Sequence, residues 1–342
     1  MASSASVTRA LNAILPLIAS GQPYEAHQKA RTFASRYSKS GQFDTAIQVL
    51  FQSAKELLKT GQQGSGTDLT TFLLDVYESK GEEINEESRG RLTQLIALTG
   101  QGGGWRKTII DRSIAWTVKK GPWPAGDPGL QHYIGELLYK EGAFIEAEPH
   151  LLAAGKRDSA RALAEMMVDW SVGTNPGHFA LHGVLPYLQN GNILAARTFI
   201  KHFTSSFTSK YPSFTSPGSN NLSIGSGDEI IVTSDPVLNF AQVAVRLCQR
   251  AQGDRNKLMR ESWVRFCGTY QSRGGVLATK EIRKVLNEIG ELFFALPPPK
   301  GQQPNPLGDI MSALMGGGGP APPQQRRVLS PAYGPASSAT LD

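Results

Sequence analysis

The side chains in this sequence that could do chemistry are few, and their spacing is the first thing to test. His178 and His182 are four residues apart, which would put both on one face of a helix. Two nitrogens on one face suit a metal, but no glutamate follows His178 to complete a zinc-protease signature and no third ligand stands in register. Surface or packing histidines are the plainer reading. Gly64-Ser65-Gly66-Thr67 and Gly102-Gly103-Gly104 are glycine-rich, yet neither is followed by the Lys-Ser/Thr of a phosphate loop and neither follows a predicted strand. Each reads as a loop or a helix start. Glu82-Glu83 and Glu86-Glu87 fall in a loop and at a helix start, where acids complement the helix dipole. The only cysteines, Cys248 and Cys267, each lie on the apolar stripe of a helical pattern, with no nucleophile signature around them. There is no Gly-x-Ser-x-Gly elbow. No constellation assembles, so the sequence predicts no enzyme, no cofactor and no metal.

What remains is surface for binding other proteins. Leu69, Phe72, Leu73 and Val76 follow the apolar i, i+3, i+4, i+7 rule, which turns Asp68, Thr71, Asp75 and Glu78 to the opposite, exposed face. An acidic row of this kind is either a docking surface or simply the wet side of an amphipathic helix. A second candidate is a short β-hairpin: Leu222, Ile224, Ile230, Ile231 and Val232 flank the turn Gly225-Ser226-Gly227-Asp228. A lone hairpin is marginal in water, so it must lean on a core or a partner. It is either a clamp or a flap tucked against the helices.

The elements that must position these surfaces are helices. From residue 8 to residue 206 the chain reads as consecutive amphipathic helices of about ten to twenty residues with short joints. Gly21 precedes Ala26, Gly41 precedes Ala46, Gly142 precedes Ala147 and Gly191 precedes Ala196, a recurring Gly-x4-Ala unit. The glycine can end one helix in the left-handed conformation, and the alanine lets the next pack closely. Tyr24, Phe43, Phe144 and Ile193 place a bulky residue between the two, expected to pack as the second helix begins. Ala34 to Ile47 looks like the heart of a tetratricopeptide repeat, and Ile134 to Glu148 resembles it again. The spacing is irregular and the full consensus never appears. The predicted fold is all-α: a degenerate tetratricopeptide-like α-solenoid with one inserted β-hairpin and a disordered C-terminal tail.

Three segments are expected: an N-terminal solenoid over 8–206, the hairpin with C-terminal helices over 207–296, and a Pro/Gly-rich tail over 297–342. Ser, Thr, Pro and Gly dominate after Thr204, which marks the first boundary, and Pro297-Pro298-Pro299 marks the second. Within the tail, Leu307, Ile310, Met311 and Leu314 fall at helical spacing, so 306–315 could fold on a partner.

Bulk composition narrows the class. With 40% apolar and 19% charged residues the chain is ordinary globular protein. No stretch approaches the roughly eighteen apolar residues of a membrane span, and Ala10 to Ala19, broken by Asn12 and Pro16, is a poor signal-peptide core. The net charge of +6 raises the question of nucleic acid. Its basic clusters, around Arg106 to Lys120 and Arg246 to Arg273, also contain Asp111, Asp254 and Glu261, so there is no Lys/Arg block with aromatics interleaved for base stacking. A solvated face or a patch for an acidic protein fits better. Two buried thiols suit a reducing, cytoplasmic setting.

Three strings together resemble the Golgi-to-ER traffic protein 4 family, the helical-repeat subunit of the pathway that guides tail-anchored proteins to the endoplasmic reticulum. They are Tyr24-Glu25-Ala26-His27-Gln28 running to Arg36-Tyr37, Gly64-Ser65-Gly66-Thr67-Asp68-Leu69 running to Leu73-Leu74-Asp75-Val76-Tyr77, and the Leu222–Val232 hairpin. The resemblance spans roughly residues 8–296. It implies a cytosolic adaptor whose N-terminal helices hold a targeting ATPase homodimer. Its C-terminal helices and hairpin would grip a ubiquitin-like-domain protein that recruits a client-bearing co-chaperone. Asp68 and Asp75 are then expected to help regulate ATP hydrolysis, with Glu78 beside them and Lys29 and Arg36, one heptad apart, as docking charges. Leu222, Ile224, Ile230, Ile231 and Val232 would contact the ubiquitin-like partner. Two other classes share the solenoid: a scaffold subunit of a large proteolytic or signalosome-type complex, and an RNA-associated solenoid.

Overall fold

The Gly-x4-Ala joints are built as their residue types dictate. Gly21, Gly41, Gly142 and Gly191 take φ of +73° to +78°, the left-handed region, and Ala26, Ala46, Ala147 and Ala196 are completely buried. At Gly41 the amide donates to Ser38 O at 3.1 Å and Gln42 N donates to Tyr37 O at 2.8 Å. These bonds satisfy the last carbonyls of the helix while the chain reverses. Phe43, Phe144 and Ile193 are half-buried as expected. Tyr24 is not: it is 72% exposed, because the helix it opens buries only small residues and leaves no socket for a ring.

The computed structural model describes residues 4–102, 104–215, 222–223 and 229–298. These fall into two units divided between Glu141 and Gly142. The first holds α1 (Ser4–Ala19), α2 (Pro23–Lys39), α3 (Phe43–Lys59), α4 (Gln63–Lys80), α5 (Glu86–Leu98), α6 (Trp105–Lys120) and α7 (Pro128–Lys140). Its centre is α3, which packs on α1, α2, α4 and α5 and buries Ile47, Leu50, Ala54 and Leu57 completely or nearly so. Gly66 explains why the glycine-rich string opens α4: a Cβ there would lie 2.5 Å from Leu58 Cγ of α3. The string is a close-packing device between two helices.

The second unit holds α8 (Phe144–Ala154), α9 (Arg157–Ser171), α10 (Pro176–Gln189), α11 (Ile193–Lys210), α12 (Pro236–Arg250), α13 (Lys257–Gln271) and α14 (Lys280–Phe294). Between α11 and α12 a two-residue antiparallel ladder pairs β1 (Leu222–Ser223) with β2 (Glu229–Ile230), Leu222 opposite Ile230. Helix α10 is central, touching α8, α9, α11, α12 and α14. Gly183 lets α11 approach so closely that a Cβ would meet the Phe199 ring at 2.4 Å. Phe199, Phe203 and Phe207 then stack down α11 with centroids 5.7 and 5.8 Å apart.

The all-α reading holds in both units. The expected segment boundary at 206/207 does not coincide with a division in packing: α11 runs through it to Lys210, and α11 and α12 both rest on α10. The Ser/Thr-rich composition misleads there because the hydroxyls bond back to their own helix, as Thr208 Oγ1 does to Thr204 O at 2.8 Å. Ile224, the turn 225–228, the tail beyond residue 298 and its apolar island at 306–315 lie outside the described residues.

Candidate functional site

The acidic row on α4 is tied down on both sides by bases. Asp68 Oδ2 accepts from His27 Nε2 at 2.7 Å and from Arg31 Nη1 at 2.5 Å, both on α2. The Arg31 guanidinium also lies over the Phe72 ring, 5.4 Å from its centroid. Asp75 accepts from Arg112 and Glu78 from Lys119, each at 2.5 Å and each on α6. Asp75 is fully on the exposed side, but Asp68 and Glu78 are half-buried, so the row is not uniformly wet. Burial acts to raise the Asp68 pKa, and the hydrogen bonds from His27 and Arg31 outweigh it, holding the carboxyl below its ordinary value. The Lys119 ammonium likewise lowers Glu78.

Lys29 and Arg36 do not join this row. They are exposed, and about 200° of helical rotation separates Lys29 from Arg31 two residues on. The α2 side chains that reach the acids are His27 and Arg31, one turn apart. A search for bases one turn apart beneath the acidic row would have found them, where heptad spacing did not.

The ribbon is fastened to α12 by two side-chain amides that sequence reasoning passed over. Gln242 spans the backbone of Ile231, donating from Nε2 to Ile231 O at 2.9 Å and accepting from Ile231 N at 3.1 Å. Asn239 does the same for Thr233, at 2.7 and 3.0 Å. Asn239 and Gln242, one turn apart, thus act as a surrogate strand for alternate residues of the chain leaving β2. Gln242 is only 6% exposed. The available signal was two amides at i, i+3 just after a predicted strand. Ile230 is buried, and Ile231 and Val232 are half-buried.

Several basic residues counted toward the net charge are structural. Arg106 is 8% exposed, donates to Thr99 O at 2.7 Å and pairs with Glu141. Burial pushes both thiols up, Cys267 to about 12, which suits packing more than nucleophilic chemistry. His182 Nδ1 sits 2.8 Å from Glu148 Oε1. Among the described residues no three His, Cys, Asp or Glu side chains gather to hold a metal, and no helix is long and apolar enough to cross a membrane.

The family model for Golgi to ER traffic protein 4 matches residues 40–315. The chain belongs to the Golgi to ER traffic protein 4 family. Relatives include that protein from Aspergillus fumigatus, 32% identical over 95% of this chain and 96% of its own length. The Schizosaccharomyces pombe protein is 29% identical over 86% and 91%. The Homo sapiens homologue is 26% identical over 86% and 83%. Among solved structures, the crystal structure of C. therm. Get4 superposes with a TM-score of 0.77 at 33% identity, covering 92% of this chain and 97% of that one. The stretch matched by the family model contains α4, α6 and the ribbon, and it ends at Met315, the last residue of the apolar island.

Proposed function

We propose that this member of the Golgi to ER traffic protein 4 family is a non-enzymatic cytosolic scaffold that bridges a tail-anchored-protein targeting ATPase to a ubiquitin-like-domain protein and its co-chaperone. The observation that carries the reading is the charge row on the first unit. Asp68, Asp75 and Glu78 stay partly accessible while Arg31, Arg112 and Lys119 hold them in fixed positions. Ordered charges at a surface set register and steer encounter more than they add affinity. Asp68 and Asp75 modulate hydrolysis on the bound ATPase homodimer, and Lys29 and Arg36 dock it from a second face of α2.

On the second unit, the ubiquitin-like partner binds the C-terminal helices and the ribbon residues Leu222, Ile224, Ile230, Ile231 and Val232. Gln242 and Asn239 support this by presenting that edge in one geometry. Pull-down with and without ATP, read by mass spectrometry, tests the whole. An ATPase with a ubiquitin-like protein is the expected result. Recovery of a multi-subunit proteolytic lid, or of RNA, replaces this reading with one of the other two.

A further inference from the structure

Helices α9 and α11 lie side by side and run in the same direction, and the groove between them is zipped along only part of its length. Glu165 meets His202 at 3.0 Å and Asp169 meets Lys210 at 3.0 Å. Toward the N-terminal ends the pattern breaks: Arg157 and Arg161 of α9 face Arg197 and Lys201 of α11 across a groove of about 360 Å³. Helix α11 carries no carboxylate anywhere in its eighteen residues, so it cannot answer the arginines of α9. Arg161 has its own-helix Asp158 at 3.5 Å, and neither Arg157 nor Lys201 has an ion pair among the described residues. The charge rows between α2 and α4, between α4 and α6, and farther along α9 and α11 set base against acid. Here base faces base.

We propose that this groove is a docking site for an acidic amphipathic peptide segment of a protein partner. Its carboxylates would pair with Arg157 and Arg161 on one wall and Lys201 on the other, and an apolar side chain would cover Leu194, which is 48% exposed at the end of the groove. Arginine forks match carboxylates bidentately. The mixed lining selects peptide over nucleic acid: Asp158 and Glu165 flank the cations and oppose a polyphosphate, no Phe, Tyr or Trp lines the groove to stack a base, and the one ring there, His202, is held by Glu165. None of these residues belongs to either surface assigned above.

The test uses the full chain and a fluorescein-labelled helical peptide with glutamates at i, i+4 and leucines on the same face, read by fluorescence anisotropy. Arg161→Glu with Lys201→Glu should weaken binding at least about tenfold, and salt should weaken it in the wild type. Lys107→Glu with Lys140→Glu, the same charge change elsewhere, should leave it unaltered. Thermal melting checks that each variant folds; if the reversal does not, Arg161→Gln with Lys201→Gln should still weaken the peptide severalfold. Equal affinity in the wild type and the groove variants overturns the proposal. So does tighter binding of a poly(U) RNA that is lost in the same variants, which would make the groove a nucleic-acid site.

Discussion

Arg112 donates to Asp75 at 2.5 Å across 37 residues of sequence, the same separation that divides Arg31 from Asp68 and His202 from Glu165. The series continues with His182 and Glu148 at 34, Arg89 and Asp127 at 38, and Lys210 and Asp169 at 41. Each pair joins a helix to the next helix that runs the same way, or in the case of Asp127 to the residue that caps it. A period close to the tetratricopeptide length, about 34 residues, is therefore present as ion pairs even though no consensus repeat can be read from the letters. These pairs set the register between alternate helices, each within one unit.

Asp75 and Asp68 should separate cleanly under charge reversal. Asp75→Lys breaks one exposed pair and should change unfolding free energy by no more than about 0.5 kcal/mol. Asp68→Lys puts a third base against half-buried His27 and exposed Arg31, and should cost about 1–2 kcal/mol. Chemical denaturation measures both. The exposed position, Asp75, is then the clean probe of the proposed effect on ATPase hydrolysis, since a change there cannot be attributed to lost structure.

Three glycines should respond in three ways to alanine. Gly183→Ala drives a methyl into the Phe199 ring and should destabilise by about 1–3 kcal/mol. Gly41→Ala meets no atom within 4 Å, yet its φ of +74° should still cost about 1 kcal/mol. Gly90, helical in α5 and with nothing within 4 Å, should gain about 0.5–1 kcal/mol. Melting temperatures of the three variants give the order directly.

Gln242→Leu keeps the size of the side chain and removes both bonds to Ile231. Leaving that amide and carbonyl unanswered should cost about 1–3 kcal/mol. Hydrogen exchange should localise the loss to the chain around β2, and affinity for the proposed ubiquitin-like partner, measured by calorimetry, should fall with it. Unchanged exchange at Ile231 would show that Asn239 alone holds this edge.

The His182–Glu148 pair should be a pH-dependent contact. The Glu148 carboxylate raises the His182 pKa above its ordinary 6.5, and burial only partly opposes this. Its stabilisation is fully present below about pH 6.5 and is lost as pH rises through the raised value. The side chain is 55% exposed, so the contribution is under about 1 kcal/mol. The melting-temperature gap between wild type and His182→Gln should therefore be widest in mild acid and close in alkali.

Helix positions were legible because their punctuation is local. Gly142, expected to end one helix, and Phe144, expected to open the next, do so: α8 runs Phe144–Ala154 between Gly142 and Gly155, both with positive φ. Relationships across helices were not legible. That Lys119 reaches Glu78, or that Gln242 replaces a strand, depends on which helices become neighbours, which no periodicity encodes. The expectation that Lys29 and Arg36 are docking charges is silent on this for the same reason: a heptad fixes a face of α2 but not which face meets α4. At Thr204 to Lys210 composition pointed to a loop, and the phenylalanine stripe through Phe207 won.

The fully buried residues of α2 are three alanines, Ala26, Ala30 and Ala34, with Phe33 and Tyr37 only partly buried against the core, while α3 beside it buries ten residues. At about 25 cal/mol for each Å² of apolar surface removed from water, a wall of alanines binds its helix far less tightly than one of leucine and phenylalanine. In local opening, α2 should therefore part from α3 and α4 well before the rest of the unit unfolds. When it does, His27 and Arg31 leave together, and Asp68 is stripped of both its partners in one motion. The accessibility of that carboxylate is thus governed by the breathing of its neighbouring helix, and any protein that clamps α2 in place also keeps the Asp68 carboxylate of α4 paired.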